Sequence, residues 1–94
     1  GGMSDELYLA LGKNVQHYRR AAKMTQAELA RELGLTRPSI ANIEVGRQRI
    51  LLHHVFVLAN ALRVSVDDLC PGFNPKARDI IRIPFKRFPE VEAA

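Results

Sequence analysis

The sequence predicts an all-α domain of five helices, followed by a short C-terminal extension. Apolar residues recur at helical spacing, and a Ser or Thr stands ahead of three of the predicted helices as a cap. Aromatic residues make up 6% of the 94 residues and Trp is absent, so the core must come from Leu, Ile, Val and Ala. A chain of this size buries one core, and we assign the domain to residues 3–72.

The first helix is predicted within residues 5–23. One stripe of this segment is apolar and comprises Leu11, Val15, Tyr18 and Ala22. Gly12 weakens the pattern, so the sequence does not fix where the helix begins. Residues 1–2 are two glycines ahead of Met3, and we interpret them as an expression scar.

The second and third helices are marked by their caps. Thr25 and Glu28 have capping-box spacing, in which the hydroxyl accepts from the Glu28 amide and the carboxylate accepts from the Thr25 amide. Gly34 stands where a left-handed residue ends a helix, and Thr36 offers the next N-cap. Pro38 falls in the first turn of the third helix, where its missing N–H costs nothing.

The fourth and fifth helices follow within residues 51–69. The fourth carries one apolar face, made of Val55, Leu58, Ala59 and Leu62. Ser65 caps the short fifth helix, whose first turn is acidic, and Pro71 with Gly72 stops it.

Residues 73–94 form the extension. Three prolines interrupt any helix there, and Ile81, Ile83 and Phe85 alternate with less apolar residues as in a short β-strand. The extension is too apolar for a free tail, and Phe56 and Val57 lie at the edge of the core stripe of the fourth helix or outside it. We favour a homodimer interface in which the extension covers a partner chain; the alternative is that it folds back on its own domain.

Basic residues are concentrated in one stretch of the chain. The net charge is +4, and residues 13–49 hold eight basic against three acidic side chains. This excess suits a polyanionic partner. No segment approaches the roughly 18 apolar residues of a membrane span, so we expect a cytoplasmic protein without a membrane partner. The one cysteine, Cys70, fits a reducing compartment and is expected to pack as a small apolar group.

Neither a metal site nor an active site is predicted. His53 and His54 are adjacent, so on a helix they point about 100° apart and cannot share one ion, and His17 adds no matching ligand. Ser39 has no candidate base in any motif. We therefore expect no enzyme activity, no metal and no cofactor.

Residues 25–46 combine a helix, a three-residue connection and a second helix. This geometry lets the second helix lie in the major groove of DNA while the first crosses the phosphate backbone. Ala30 is small where the two helices must cross, and Gly34 can turn. The space beneath them is filled by Leu29, Leu33, Leu35, Ile40 and Ile43.

Four spaced segments carry a resemblance to a known family. They are Thr25-Gln26-Ala27-Glu28-Leu29-Ala30, Gly34-Leu35-Thr36, Ser39-Ile40 and Ile43-Glu44-Val45-Gly46-Arg47. Together they resemble the helix-turn-helix of the phage repressor and Cro family, also called the XRE family, over about residues 11–69. The resemblance implies a five-helix repressor-like DNA-binding domain with its motif on helices two and three.

The resemblance also implies a set of DNA contacts. Gln26 matches the position that contacts a phosphate and buttresses the recognition helix. The base-facing positions hold Arg37, Pro38, Ser39 and Asn42, and the phosphate-facing loop holds Arg47, Gln48 and Arg49. Arg37 suits guanine O6 and N7, and Asn42 suits adenine N6 and N7. Pro38 departs from the polar residue common in the family and offers only an apolar contact, such as one to a thymine methyl.

Glu44 is an acid in the predicted recognition helix, where phosphates would repel it. The family buries this acid against an arginine of the first helix, and Arg19 occupies the matching position. We therefore expect a structural ion pair between Arg19 and Glu44, which leaves Arg19 unavailable to DNA.

The predicted function is that of a transcriptional regulator, more specifically a repressor. As a homodimer it would read a pseudo-palindromic operator in double-stranded DNA through the major groove, in the nucleoid of a bacterium. The alternative is an antitoxin or adaptor that uses the same fold chiefly to hold a protein partner through residues 73–94.

Overall fold

The structure is a computed structural model and describes residues 3–70, which contain five helices and no strand. They are α1 (Met3–Ala21), α2 (Gln26–Leu33), α3 (Arg37–Glu44), α4 (Leu52–Leu62) and α5 (Val66–Leu69). The all-α prediction is confirmed. The predicted extension, its β-strand and the domain boundary at residue 72 lie outside the described residues. None of the five helices is both long and apolar enough to cross a membrane.

The helix boundaries follow the predicted caps. The Thr25 hydroxyl accepts from the Glu28 amide at 3.0 Å, and the Glu28 carboxylate accepts from the Thr25 amide at 2.8 Å. Gly34 ends α2 in the left-handed region at φ 69°. Ser65 forms a second capping box, with Asp68. The left-handed C-cap of α4 at Arg63, with φ 60°, was not predicted, because that conformation at the end of a helix is typical of glycine and not of arginine.

The core lies where the helices meet and is aliphatic. Its buried side chains are Leu11, Val15, Leu29, Ala30, Leu33, Ile40, Ile43, Val55, Leu58, Ala59, Leu62 and Leu69. Tyr18 and Leu35 are half-buried and pack against them. The prediction for Ala22 is wrong: α1 ends at Ala21, so Ala22 leaves the stripe and is exposed.

Gly12 does not interrupt α1, which runs through it from Met3. A Cβ atom at Gly12 would lie 2.2 Å from the Ile43 carbonyl oxygen and 2.7 Å from that of Glu44. The backbones of α1 and α3 therefore cross at a separation that only glycine permits. Gly12 weakens the helical pattern in the sequence, but in the structure it allows α3 to pack closely against α1.

Candidate nucleic-acid interface

The turn between α2 and α3 is built by Gly34, Leu35 and Thr36. The Leu35 amide donates to the Ala30 carbonyl at 2.9 Å, which closes the end of α2. The Thr36 hydroxyl accepts from the Ser39 amide at 3.2 Å and so starts α3. Leu35 also packs against the core. The turn is therefore held by a hydrogen bond at each end and by an apolar contact between them.

One face of α3 is buried and the other is open. Ile40, Ile43 and Glu44 point into the domain. The open face carries Arg37 and Pro38, which are exposed, and Ser39, Ala41 and Asn42, which are half-buried. Ala41 stands one turn after Arg37 on this face and was not among the predicted DNA contacts; an alanine methyl group is of the kind that contacts a thymine methyl.

The polar side chains of this face differ in how they are engaged. Arg37 Nη1 donates to Gln26 Oε1 at 3.1 Å, which uses one of the five guanidinium N–H groups. The Ser39 hydroxyl accepts from the Thr36 hydroxyl at 3.1 Å and keeps its own proton available. The Asn42 amide makes no side-chain hydrogen bond within residues 3–70, so both its donor and its acceptor are available.

Glu44 is held by Arg19 in a buried ion pair. Arg19 Nε donates to Glu44 Oε2 at 2.6 Å and Nη2 donates to Oε1 at 3.1 Å, while the side chains are 10% and 0% exposed. Arg19 Nη1 also donates to the Met24 carbonyl at 2.8 Å. The acid in the recognition helix is thus neutralised inside the protein, and Arg19 is occupied.

Two glutamines complete the environment of Glu44. Its Oε1 accepts from Gln26 Nε2 at 3.0 Å and from Gln16 Nε2 at 3.3 Å. Burial acts to raise the pKa of Glu44, but the hydrogen bonds from Arg19, Gln26 and Gln16, with the charge of Arg19, hold it below its ordinary value. Because a carboxylate only accepts, Gln26 must turn its amide nitrogen toward Glu44, and its oxygen then faces Arg37.

Gln16 was missed by the sequence reasoning. The available signal was its position three residues before Arg19, which places both side chains on one side of α1.

The loop after α3 carries Arg47, Gln48 and Arg49. Both arginines are exposed and Gln48 is half-buried. The Arg47 amide donates to the Asn42 carbonyl at 2.9 Å, and the Arg49 guanidinium carbon lies 5.5 Å from the centroid of the Tyr8 ring.

Residues 13–49 place more positive than negative charge at the surface of the domain. Of the basic residues in 13–49, all except Arg19 are exposed, and they are Lys13, Arg20, Lys23, Arg31, Arg37, Arg47 and Arg49. Only Glu28 and Glu32 are exposed acids in that stretch. Burying Glu44 with Arg19 therefore removes one charge of each sign and leaves a surface suited to phosphates.

Among residues 3–70, the histidines and the cysteine form no cluster of metal ligands. The His53 and His54 rings lie 4.1 Å apart, but no three His, Cys, Asp or Glu residues cluster as metal ligands within the described part of the chain. Cys70 is half-buried; burial, and then the charge of Asp67, raises the pKa of its thiol, so the reactive thiolate is disfavoured.

Comparison with known proteins gives a family match and several relatives. The family described as Helix-turn-helix (HTH_3) matches residues 15–69. The cryptic phage CTXphi transcriptional repressor RstR of Vibrio cholerae serotype O1 is 29% identical over 62 residues, which cover 66% of this chain and 55% of that protein. The chain thus spans about half the length of this curated relative.

Solved structures share the fold. The restriction-modification controller protein C.AhdI from Aeromonas hydrophila matches with a TM-score of 0.62 and 27% identity, covering 66% of this chain and 94% of that one. The hypothetical transcription factor NHTF from Neisseria matches with a TM-score of 0.66 and 29% identity, covering 85% of this chain and 90% of that one. The clp gene regulator ClgR from Corynebacterium glutamicum matches with a TM-score of 0.65 and 27% identity, covering 67% of each chain.

Proposed function

We infer the function of this chain from one premise, that it belongs to the Helix-turn-helix family (HTH_3), whose match covers residues 15–69. On that premise we propose a DNA-binding transcriptional regulator that reads double-stranded DNA. The observation that carries the proposal is the open face of α3, with an unengaged Asn42 and an exposed Arg37 on a helix anchored from beneath by the Arg19–Glu44 pair.

The readout is assigned residue by residue. Arg37 pairs with guanine and Asn42 with adenine, while Pro38 and Ser39 contact neighbouring base edges. Gln26, Arg47, Gln48 and Arg49 contact phosphates, which fix the register without reading sequence. Gln26 supports Arg37 through the hydrogen bond between them.

The regulatory outcome we propose is repression, by occupying promoter DNA within the bacterial cytoplasm. RstR, which is named as a transcriptional repressor, supports this reading over the segment that it shares with the chain. None of the relatives described above is named as an antitoxin or adaptor, so the protein partner predicted for residues 73–94 stays a prediction without support.

A homodimer on a pseudo-palindromic operator is the proposed assembly. Two recognition helices about 34 Å apart would enter successive major grooves on one side of the DNA. Leu52 and Phe56 on α4 are 73% and 56% exposed, and no formally charged residue occurs from Ile50 to Leu62. An uncharged helix face with exposed large apolar side chains is typical of a contact surface.

Affinity selection from random duplexes tests base readout. We expect the wild-type protein to enrich an inverted repeat, and Arg37→Ala and Asn42→Ala to lose preference at one base pair each, by about 1 to 3 kcal/mol. Asn60→Ala, an exposed asparagine on α4, is the matched control and should recover the wild-type repeat. Weak, salt-sensitive binding without any motif would contradict base readout, because phosphate attraction alone behaves in that way.

Sedimentation equilibrium tests the dimer. Phe56→Glu places a charge on the apolar face of α4 and should produce monomers, whereas Ala22→Glu, at an exposed position after α1, should not. Removing residues 73–94 should also weaken the dimer if the extension covers the partner chain. A wild-type chain that stays monomeric both free and on its operator would refute the proposed assembly.

A further inference from the structure

The first turns of α1 form a platform under the loop that follows α3. A Cβ atom at Gly46, whose φ is 78°, would lie 3.0 Å from the Leu9 Cα. Three residues after Leu9, Gly12 lies against the carbonyl groups of Ile43 and Glu44 at the end of α3. One residue before Leu9, the Tyr8 ring lies under the Arg49 guanidinium at 5.5 Å. This part of α1 precedes residue 15, where the family match begins.

We propose that Tyr8 is a positioning residue that holds Arg49 ready for a DNA phosphate. The inference rests on the proposed function, since it deepens the role of a residue assigned there to a phosphate contact.

The geometry suits that role. Within residues 3–70 the Arg49 guanidinium makes no hydrogen bond, and its attraction to the face of the Tyr8 ring does not require one, so its N–H groups remain available to a phosphate. Tyr8 is half-buried and packs against the core, so the ring is fixed to the domain, whereas the Arg49 side chain is exposed. Contact with the ring restricts the Arg49 side chain before DNA binds. Arg49 therefore loses less conformational entropy when it contacts a phosphate.

A double-mutant cycle on binding of the selected duplex tests the proposal. Tyr8→Leu keeps an apolar side chain but removes the ring, and we expect it to weaken binding about two- to fivefold. Tyr8→Phe retains the ring and should bind as the wild type does. Arg49→Ala should reduce the slope of log affinity against log salt concentration by about 1. The combined variant Tyr8→Leu with Arg49→Ala should bind as Arg49→Ala alone does, because the ring acts only through Arg49.

Additive losses in the cycle would overturn the proposal, since Tyr8 would then act independently of Arg49. Tighter binding by Tyr8→Leu would also overturn it, because the ring would then hold Arg49 away from DNA. If Tyr8→Leu does not fold, a nuclear Overhauser contact between Arg49 and the Tyr8 ring in the duplex complex decides, and its absence overturns the proposal. A wild-type chain that binds no duplex would instead refute the proposed function itself.

Discussion

Glu44 places a negative charge on the helix proposed to approach a polyanion, and the protein neutralises that charge internally. Arg19 supplies two hydrogen bonds and the opposite charge, and two glutamines donate to Oε1, the oxygen that also accepts from Arg19 Nη2. No buried side-chain nitrogen or oxygen within residues 3–70 lacks a partner. Such a network is worth most when it is complete, because each removal strands a buried group.

Removal of Arg19 should therefore be costly. Arg19→Ala leaves the Glu44 carboxylate buried without its cation, and we expect a loss of about 3 to 5 kcal/mol in the free energy of unfolding. Chemical denaturation measures this loss. Arg20→Ala, at the exposed neighbouring position, should change stability by no more than about 0.5 kcal/mol. An Arg19→Ala protein that melts at the wild-type temperature would show that the pair has no structural role.

The same carboxylate should make stability depend on pH. The pKa of Glu44 is lowered on folding from its ordinary value of 4.5, so the stabilisation is present above that pH and is lost as the pH falls through the folded-state pKa. Urea unfolding as a function of pH should show this loss below about pH 4.5. Glu44→Gln should be less stable at neutral pH and should flatten this part of the profile. An unchanged slope in Glu44→Gln would mean that other carboxyl groups carry the acid sensitivity.

Residues that act through local rules or through the family pattern could be predicted from the sequence. The caps Thr25 and Thr36 follow local hydrogen-bonding rules, and the Arg19–Glu44 pair came from the resemblance. Tyr8 could not be predicted, because its partner Arg49 lies far along the chain, and Gln16 offered only its spacing from Arg19, which does not show that Glu44 lies beside both. Sequence spacing describes one element at a time, and these contacts join two.

At the scale of elements, the crossing of α1 and α3 sets the position of the recognition helix. Gly12→Ala should destabilise the protein although alanine favours helices over glycine by about 1 kcal/mol, because the new methyl group meets the carbonyl oxygens of Ile43 and Glu44. Thermal unfolding measures the effect. Lys13→Ala, at the next and exposed position, is the control and should be nearly neutral. A gain in stability for Gly12→Ala would show that the two helices can separate at little cost.

At the scale of the whole molecule, the buried apolar residues among residues 3–70 run from Leu11 to Leu69 and bring all five helices together. We therefore propose that residues 3–72 fold without the extension, as the sequence predicts for the domain. A chain ending at Gly72 should unfold in one cooperative transition, monitored by circular dichroism and by chemical denaturation. A non-cooperative transition would mean that residues 73–94 contribute to the core.

The helices of the DNA-reading motif are short, and this has a consequence for how the protein opens. α2 and α3 have eight residues each, and isolated helices below about 12 residues are marginal in water. The recognition helix therefore exists only while the core beneath it is intact, and its amide protons should exchange with deuterated solvent only through global opening. Heat would then abolish DNA occupancy and the fold in a single event, and a temperature-sensitive regulator could be obtained from a core substitution that leaves the DNA-facing surface untouched.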